Sequence, residues 1–174
     1  MPSSSKLIPS PRMKLSTLFF GTLALGSSGS ISSSAVINVT GAGTFDVSAV
    51  GGFTINSGQT LMGAGAVTGV TTVAAGGTLA PGGSNGTMSI FGDTGAENLV
   101  LRGTLSVAGD AIRNSSAPWL SVTGSVDIAS STLTADNLDL LTAEPQRYTL
   151  ITYTGTRTGG FASQTLTPGW RISY

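Results

Sequence analysis

The sequence predicts an all-β chain wound as a parallel β-solenoid and finished by a β-rich C-terminal cap. Three observations point there. A motif occurs twice in tandem: Thr54-Ile55-Asn56-Ser57-Gly58-Gln59-Thr60-Leu61 and, eighteen residues on, Thr72-Val73-Ala74-Ala75-Gly76-Gly77-Thr78-Leu79. Glycine is abundant, with 25 residues, and this together with many β-branched residues disfavours long helices. Charge is sparse at 9% while hydrophobic residues reach 40%, which disfavours disorder. Many short strands joined by tight turns satisfy all three.

Composition also excludes functions. Eight basic residues balance eight acidic ones over the 174 residues. Lys6, Arg12 and Lys14 all lie near the N-terminus, so the remainder carries five Arg against eight acids. That body lacks the basic stripe that nucleic-acid binding requires. Without cysteine there is no disulfide framework and no Cys-based metal site. Without histidine the commonest general base and catalytic-metal ligand are missing. No cofactor is expected.

Residues 1–35 read as a signal peptide. Arg12 and Lys14 precede the apolar run Leu15–Leu25, too short to span a bilayer, and Ser33-x-Ala35 meets the small-x-small rule for cleavage after Ala35. Met13 offers an alternative start to Met1. The solenoid repeat region is expected over 36–110. Val36–Gly52 reads as a degenerate first coil, with Ile37-Asn38 aligned to Ile55-Asn56; a terminal coil must cap an open sheet edge and matches poorly for that reason.

The two clear copies are Phe53–Val70 and Thr71–Met88. At about 3.3 Å per extended residue, eighteen residues trace a perimeter near ~60 Å, enough for three short strands and their corners. Ile55 and Leu61 are expected to stack on Val73 and Leu79 as the repeat core, with the partner of Val67 left open. Stacking is required, because one coil cannot bury its own apolar face.

A drifting third copy follows, with strand-like Ser89-Ile90-Phe91, Leu99-Val100-Leu101 and Gly103-Thr104-Leu105-Ser106-Val107. Gly92–Asn98 reads as an inserted turn and Ala108–Pro118 as a loop. Residues 111–174 are expected to form C-terminal β coils or a cap. Trp119–Val122 and Ser125–Ile128 alternate apolar with polar; Asn137–Leu141, Tyr148–Tyr153, Phe161–Leu166 and Trp170–Tyr174 supply further strand candidates. Both Trp and all three Tyr lie here. The chain stops on a strand-like residue, from which a fragment or a chain lacking a C-terminal module is expected.

Ser57-Gly58-Gln59-Thr60-Leu61-x-Gly63-x-Gly65-x-Val67-x-Gly69, then Gly76-Gly77-Thr78-Leu79-Ala80-Pro81-Gly82-Gly83-Ser84-x-Gly86-Thr87, resembles the autotransporter-associated β-strand repeat of large secreted bacterial surface proteins. Tyr148-Thr149-Leu150-Ile151-x-Tyr153, continuing to Gly160-Phe161-Ala162-Ser163, is similar to the closing segment of many such chains. The resemblance implies a right-handed β-helical passenger or surface-displayed region, and it carries over no catalytic residues. Relatives usually end in an outer-membrane β-barrel or a short sorting tail. Neither follows within these residues, so membrane attachment is expected only through a missing C-terminal module.

Chemical motifs are present in letter and absent in setting. Gly82-Gly83-Ser84-Asn85-Gly86 matches the G-x-S-x-G nucleophile elbow, but no His exists to take the proton and no helical pattern follows. Gly63-Ala64-Gly65-Ala66-Val67-Thr68-Gly69 approaches a dinucleotide loop, with Thr68 where the third glycine belongs. Asp127, Asp136 and Asp139, with Asp93, Glu97 and Asp110 upstream, are the nearest thing to an acidic cluster for glycoside hydrolysis or calcium. The calcium-binding G-G-x-G-x-D pattern is missing, and these acids read as solvated turn residues. Arg102, Arg113, Arg147, Arg157 and Arg171 are scattered in sequence. Flat faces bearing Thr, Ser and Asn can bind carbohydrate or another surface, and the Thr/Asn ladders are the remaining candidate for function. The favoured reading of Thr is a good strand former on an exposed face.

The expectation is therefore a secreted or surface-displayed, non-catalytic structural or adhesin-type protein. The alternatives are a polysaccharide-active enzyme and a carbohydrate-binding module on the same fold. Surface glycans or other cell-surface material are the expected partners. With three or four coils before the cap, the chain is expected to need flanking material or self-association for stability.

Overall fold

Strands that open on Thr or Ser and place an aliphatic residue next send alternate side chains to opposite faces. That pattern repeats down this chain, and the computed structural model shows what it builds. The structure describes residues 14–82, 86–92, 97–109, 117–138 and 147–174. Two long strands come first, β1 (Leu15–Ala24) and β2 (Val36–Asp46), and β3 (Phe53–Ile55) completes the coil that β2 begins. Short strands then come in threes. The second coil is β4 (Thr60–Gly63), β5 (Ala66–Thr68) and β6 (Thr71–Val73); the third is β7 (Thr78–Pro81), β8 (Met88–Phe91) and β9 (Glu97–Leu101). The fourth is β10 (Thr104–Ala108), β11 (Leu120–Thr123) and β12 (Ser125–Asp127). The fifth is β13 (Thr132–Asp136), β14 (Ile151–Tyr153) and β15 (Arg157–Thr158), after which β16 (Ser163–Leu166) opens another.

Every strand pairing among the described residues is parallel. The fold is an all-β solenoid with three faces. The first half of β2, then β4, β7, β10, β13 and β16 make one face; the second half of β2, then β5, β8, β11 and β14 make the next. Because β2 runs unbroken round their shared corner, these two faces count as one hydrogen-bonded sheet. The third face is a separate five-stranded sheet in the order β15-β12-β9-β6-β3.

The eighteen-residue offset holds where the motif is. Ile55 lies opposite Val73, and Thr60 and Leu61 lie opposite Thr78 and Leu79. Elsewhere the corners lengthen while the strands keep register. Val67 pairs with Ile90, Leu79 with Leu105, and Leu105 with Leu133. The alignment of Ile37 with Ile55 is corrected: Ile37 lies opposite Leu61, because β2 enters on the face of β4 and reaches the third face only through β3.

The C-terminal third continues the same coils, since β11 through β16 all extend the existing faces. Its strands are shorter than their propensity suggests. Of Tyr148–Tyr153 only β14 forms a ladder, with Leu120, Ser121 and Val122 of β11, and Trp170–Tyr174 is not a strand. Aromatic and β-branched residues become strand where a neighbouring strand lies in register, and propensity alone does not supply one. Most of the expected 108–118 loop, and the boundary at 110/111, fall outside the described residues. Asn98, expected in a turn, belongs to β9 and is buried, its amide donating to the Thr123 carbonyl at 2.5 Å.

The core is a set of vertical ladders. Ile37, Leu61, Leu79, Leu105 and Leu133 stack on the first face and Phe45, Val67, Ile90 and Val122 on the second, all buried. Burying one such side chain contributes roughly 1.5–3 kcal/mol, so the column is held coil by coil by its neighbours. β1 differs from every coil below it. It pairs with β2, yet Leu15, Phe19 and Phe20 are 65, 66 and 80% exposed.

Candidate functional site

Two inward ladders change chemistry at the last coil. On the third face Leu99 and Val126 are followed in register by Arg157, and on the second face Ile90 and Val122 are followed by Tyr153. The apolar filling of the column therefore stops. The C-terminal end opens into a cavity of about 1050 Å³.

One wall of the cavity is aromatic. Trp119, whose indole N–H donates to the Ala108 carbonyl at 3.3 Å, is buried and meets Tyr148 at 6.2 Å between ring centroids. Tyr148 in turn meets Trp170 at 5.9 Å. Across the mouth Phe161 and Tyr174 lie 6.3 Å apart, and the Tyr174 hydroxyl accepts the Phe161 backbone N–H at 2.9 Å. Arg147, Arg157 and Arg171 also line the cavity, and all three are exposed. Arg157 sits 4.6 Å over the Tyr174 ring, a cation–π contact, and bonds the Gly159 carbonyl. No Asp or Glu is among the described lining residues. The ion pair found among the described residues joins Arg102 to Asp127 and involves none of these three arginines.

Compared with protein-family models, with curated proteins and with solved structures, the chain matches none.

The residues expected to form the repeat core, Ile55, Leu61, Val73 and Leu79, are all buried and meet in register. Ala35 stands immediately before β2, where its carbonyl accepts the Thr60 N–H at 2.8 Å. The expected acidic cluster divides. Asp127 is buried at a corner, Asp136 ends β13, and Asp93, Asp110 and Asp139 lie outside the described residues, as does the side chain of Glu97. Among the described residues no group of three or more His, Cys, Asp or Glu is placed to hold a metal ion. Residues 83–85 of the G-x-S-x-G match lie outside the described residues too. The Thr ladder is real: Thr60, Thr78, Thr104 and Thr132 stand one above the next, half-buried on the outer side of the first face.

Three of the arginines read as scattered are gathered at the column's end. The register was hidden by the last coil's length, thirty-one residues from Val126 to Arg157. The signal that carries it is the Thr-Leu pair, which recurs at Thr104-Leu105 and again at Thr132-Leu133.

Arg102 acts elsewhere, tying two coils together. Its guanidinium pairs with the Asp127 carboxylate and donates to the Ala129 carbonyl at 3.1 Å, while the Ala129 N–H donates to Asp127 at 2.9 Å. The Arg102 hydrogen bond holds the Asp127 carboxyl below its ordinary range, against the opposing effect of burial, with the Ala129 N–H helping. A carboxylate whose folded pKa is depressed adds stability at every pH above its unfolded value near ~4, and that share is lost as pH falls through the still lower folded value. Asp127→Asn is expected to cost about 1–2 kcal/mol at pH 7, a value reduced because Arg102 is 37% exposed to solvent. Urea unfolding at pH 7 and pH 3 checks this: the gap between wild type and variant should narrow in acid, and an unchanged gap would refute the role of the charge.

Proposed function

We propose that this chain is an exported, non-catalytic β-solenoid that serves as a structural or adhesive element at a bacterial surface, similar in kind to an autotransporter passenger region. The observation that carries the reading is the buried first-face ladder of Ile37, Leu61, Leu79, Leu105 and Leu133, in register through five consecutive coils. Its mechanism is geometric. Each coil's backbone bonds to the next, so no single segment leaves without breaking two neighbours, and the result is a stiff, protease-resistant rod. The winding is taken as right-handed, as the resemblance implies and as parallel crossovers favour.

Export rests on the leader, and one feature of β1 supports its removal. Its exposed Leu and Phe side chains suit recognition of an extended apolar segment, whereas the coils beneath present Thr and Ser outward. In the fold Ser34 is buried and the Gln59 amide donates to the Ser32 and Ser34 carbonyls at 3.0 and 2.8 Å. The closed fold shields the bond after Ala35, so the proposed cleavage is placed before the coils close, during translocation. The cut leaves β2 as an open edge, which suits association with further chain or with a second copy.

Expressing the precursor with its own leader in a Gram-negative host and sequencing the exported product tests this. The expected N-terminus is Val36, and Ala35→Lys is expected to block the cut. A product beginning at Met1 or Met13 would overturn the cleaved leader, and complete retention in the cytoplasm would overturn export.

A further reading, sugar binding without catalysis, is favoured by the aromatic wall and the arginines of the end cavity.

A further inference from the structure

We infer that the cavity at the C-terminal end of the column binds an acidic polysaccharide, seating carboxylate- or sulfate-bearing sugars between its aromatic wall and Arg147, Arg157 and Arg171. This deepens the adhesive reading above by naming a ligand class, although the binding itself depends on the cavity and not on export.

Register is the first argument. Arg157 occupies the ladder position that Leu99 and Val126 fill in the coils before it, and Tyr153 the position of Ile90 and Val122. A guanidinium without a carboxylate does not belong in a dry column, because desolvating an unpaired charge is costly. Arg157 is accordingly exposed here.

Charge is the second. Three arginines share one concavity, none is ion-paired with a described carboxylate, and the described lining contributes no Asp or Glu. Like charges gathered against apolar walls focus a positive potential into the opening. The guanidinium fork matches a carboxylate or sulfate oxygen pair better than it matches a neutral hydroxyl.

The third is shape. The half-buried rings of Tyr148 and Trp170 and the more exposed Tyr153 and Tyr174 offer flat apolar faces with polar edges. A sugar ring presents the complement, an apolar C–H face rimmed by hydroxyls. At about 1050 Å³ the cavity stands at the top of the roughly 300–1,000 Å³ range of small-molecule sites, with room for a short stretch of a polymer.

The test is affinity electrophoresis of the purified protein through gels holding polygalacturonate, dextran sulfate or neutral dextran, with a single-stranded DNA oligonucleotide as a competing polyanion. At least one acidic polysaccharide should retard the protein, and which one does separates carboxylate from sulfate recognition. Neutral dextran should not retard it, and the DNA should bind at least tenfold more weakly. The double variant Arg147→Gln/Arg171→Gln should lose tenfold or more in affinity while keeping the wild-type Tm; Arg157 is spared because it packs on Tyr174. Equal binding by the variant, equal binding to neutral dextran or DNA, or no retardation at all would overturn the inference. So would a concentration-dependent dimer in sedimentation that the double variant abolishes without any glycan binding, since the end would then be a self-association face. Retention in the cytoplasm sinks export and leaves this result standing, and absent glycan binding leaves export standing.

Discussion

Leu79→Ala is expected to lower unfolding stability by about 3 kcal/mol, within the roughly 2–5 kcal/mol span of buried Leu truncations. Leu79 is fully buried, with Leu61 on one side of it and Leu105 on the other in the first-face ladder. A globular core can relax into a new void from several directions. A ladder position has one neighbour above, one below and the other two faces, so the void persists and both interfaces weaken together. Met62 supplies the contrast: it lies on the same pair of strands, faces outward and is 38% exposed. Met62→Ala is expected to stay within about 0.5 kcal/mol. Urea midpoints of the two variants decide the matter, and equal shifts would show that the ladder is not what holds the coils.

A larger effect is expected at one glycine of the second coil. Gly63 has a φ of +110°, and a Cβ there would lie 2.1 Å from the Val39 carbonyl oxygen in the strand alongside. Both the left-handed backbone and the close approach exclude a side chain. Gly58, in the turn before β4, has a φ of +76° with nothing within 4 Å of where its Cβ would be. Gly58→Ala is expected to cost about 1 kcal/mol, the strain of the backbone region alone. Gly63→Ala must also push two strands apart and is expected to exceed about 3 kcal/mol, a large share of the roughly 5–15 kcal/mol by which such chains are stable. Thermal melts of both variants check the ranking, and a Gly63→Ala protein that melts with Gly58→Ala would show that β2 and β4 do not pack as closely as described.

These two positions also show how much the sequence discloses. The tandem Thr54–Leu61 and Thr72–Leu79 copies made the stacked register of Ile55 on Val73 and of Leu61 on Leu79 legible, because an identical offset in two strands needs identical corners. Beyond them the corners vary in length, so Val67 on Ile90 and Leu105 on Leu133 are invisible to a search at a fixed period. A solenoid needs only its strands in register, and corners are free to lengthen outward. The end cavity was harder still. Arg147, Arg157 and Arg171 carry no spacing signature; they meet because the last coil returns Arg157 beneath Val126 and the closing residues fold over the opening. Tyr148–Leu150 and Trp170–Tyr174 misled for a different reason, since their aromatic and β-branched residues line a cavity here instead of joining a ladder.

The measurement that bears most directly on the stacked column is disulfide trapping, which the absence of native cysteine makes clean. Thr78 and Thr104 are in register on adjacent strands. Neighbouring strands lie about 4.8 Å apart, inside the roughly 4.4–6.8 Å Cα separation that a disulfide bridges. Thr78→Cys/Thr104→Cys is expected to oxidise rapidly to an intramolecular bond. Thr78→Cys/Ser106→Cys, displaced by two residues to about 8 Å, is expected to stay reduced. Trapping of the displaced pair as fast as the aligned one, or only intermolecular bonds from either, would contradict the parallel in-register winding on which the rest depends.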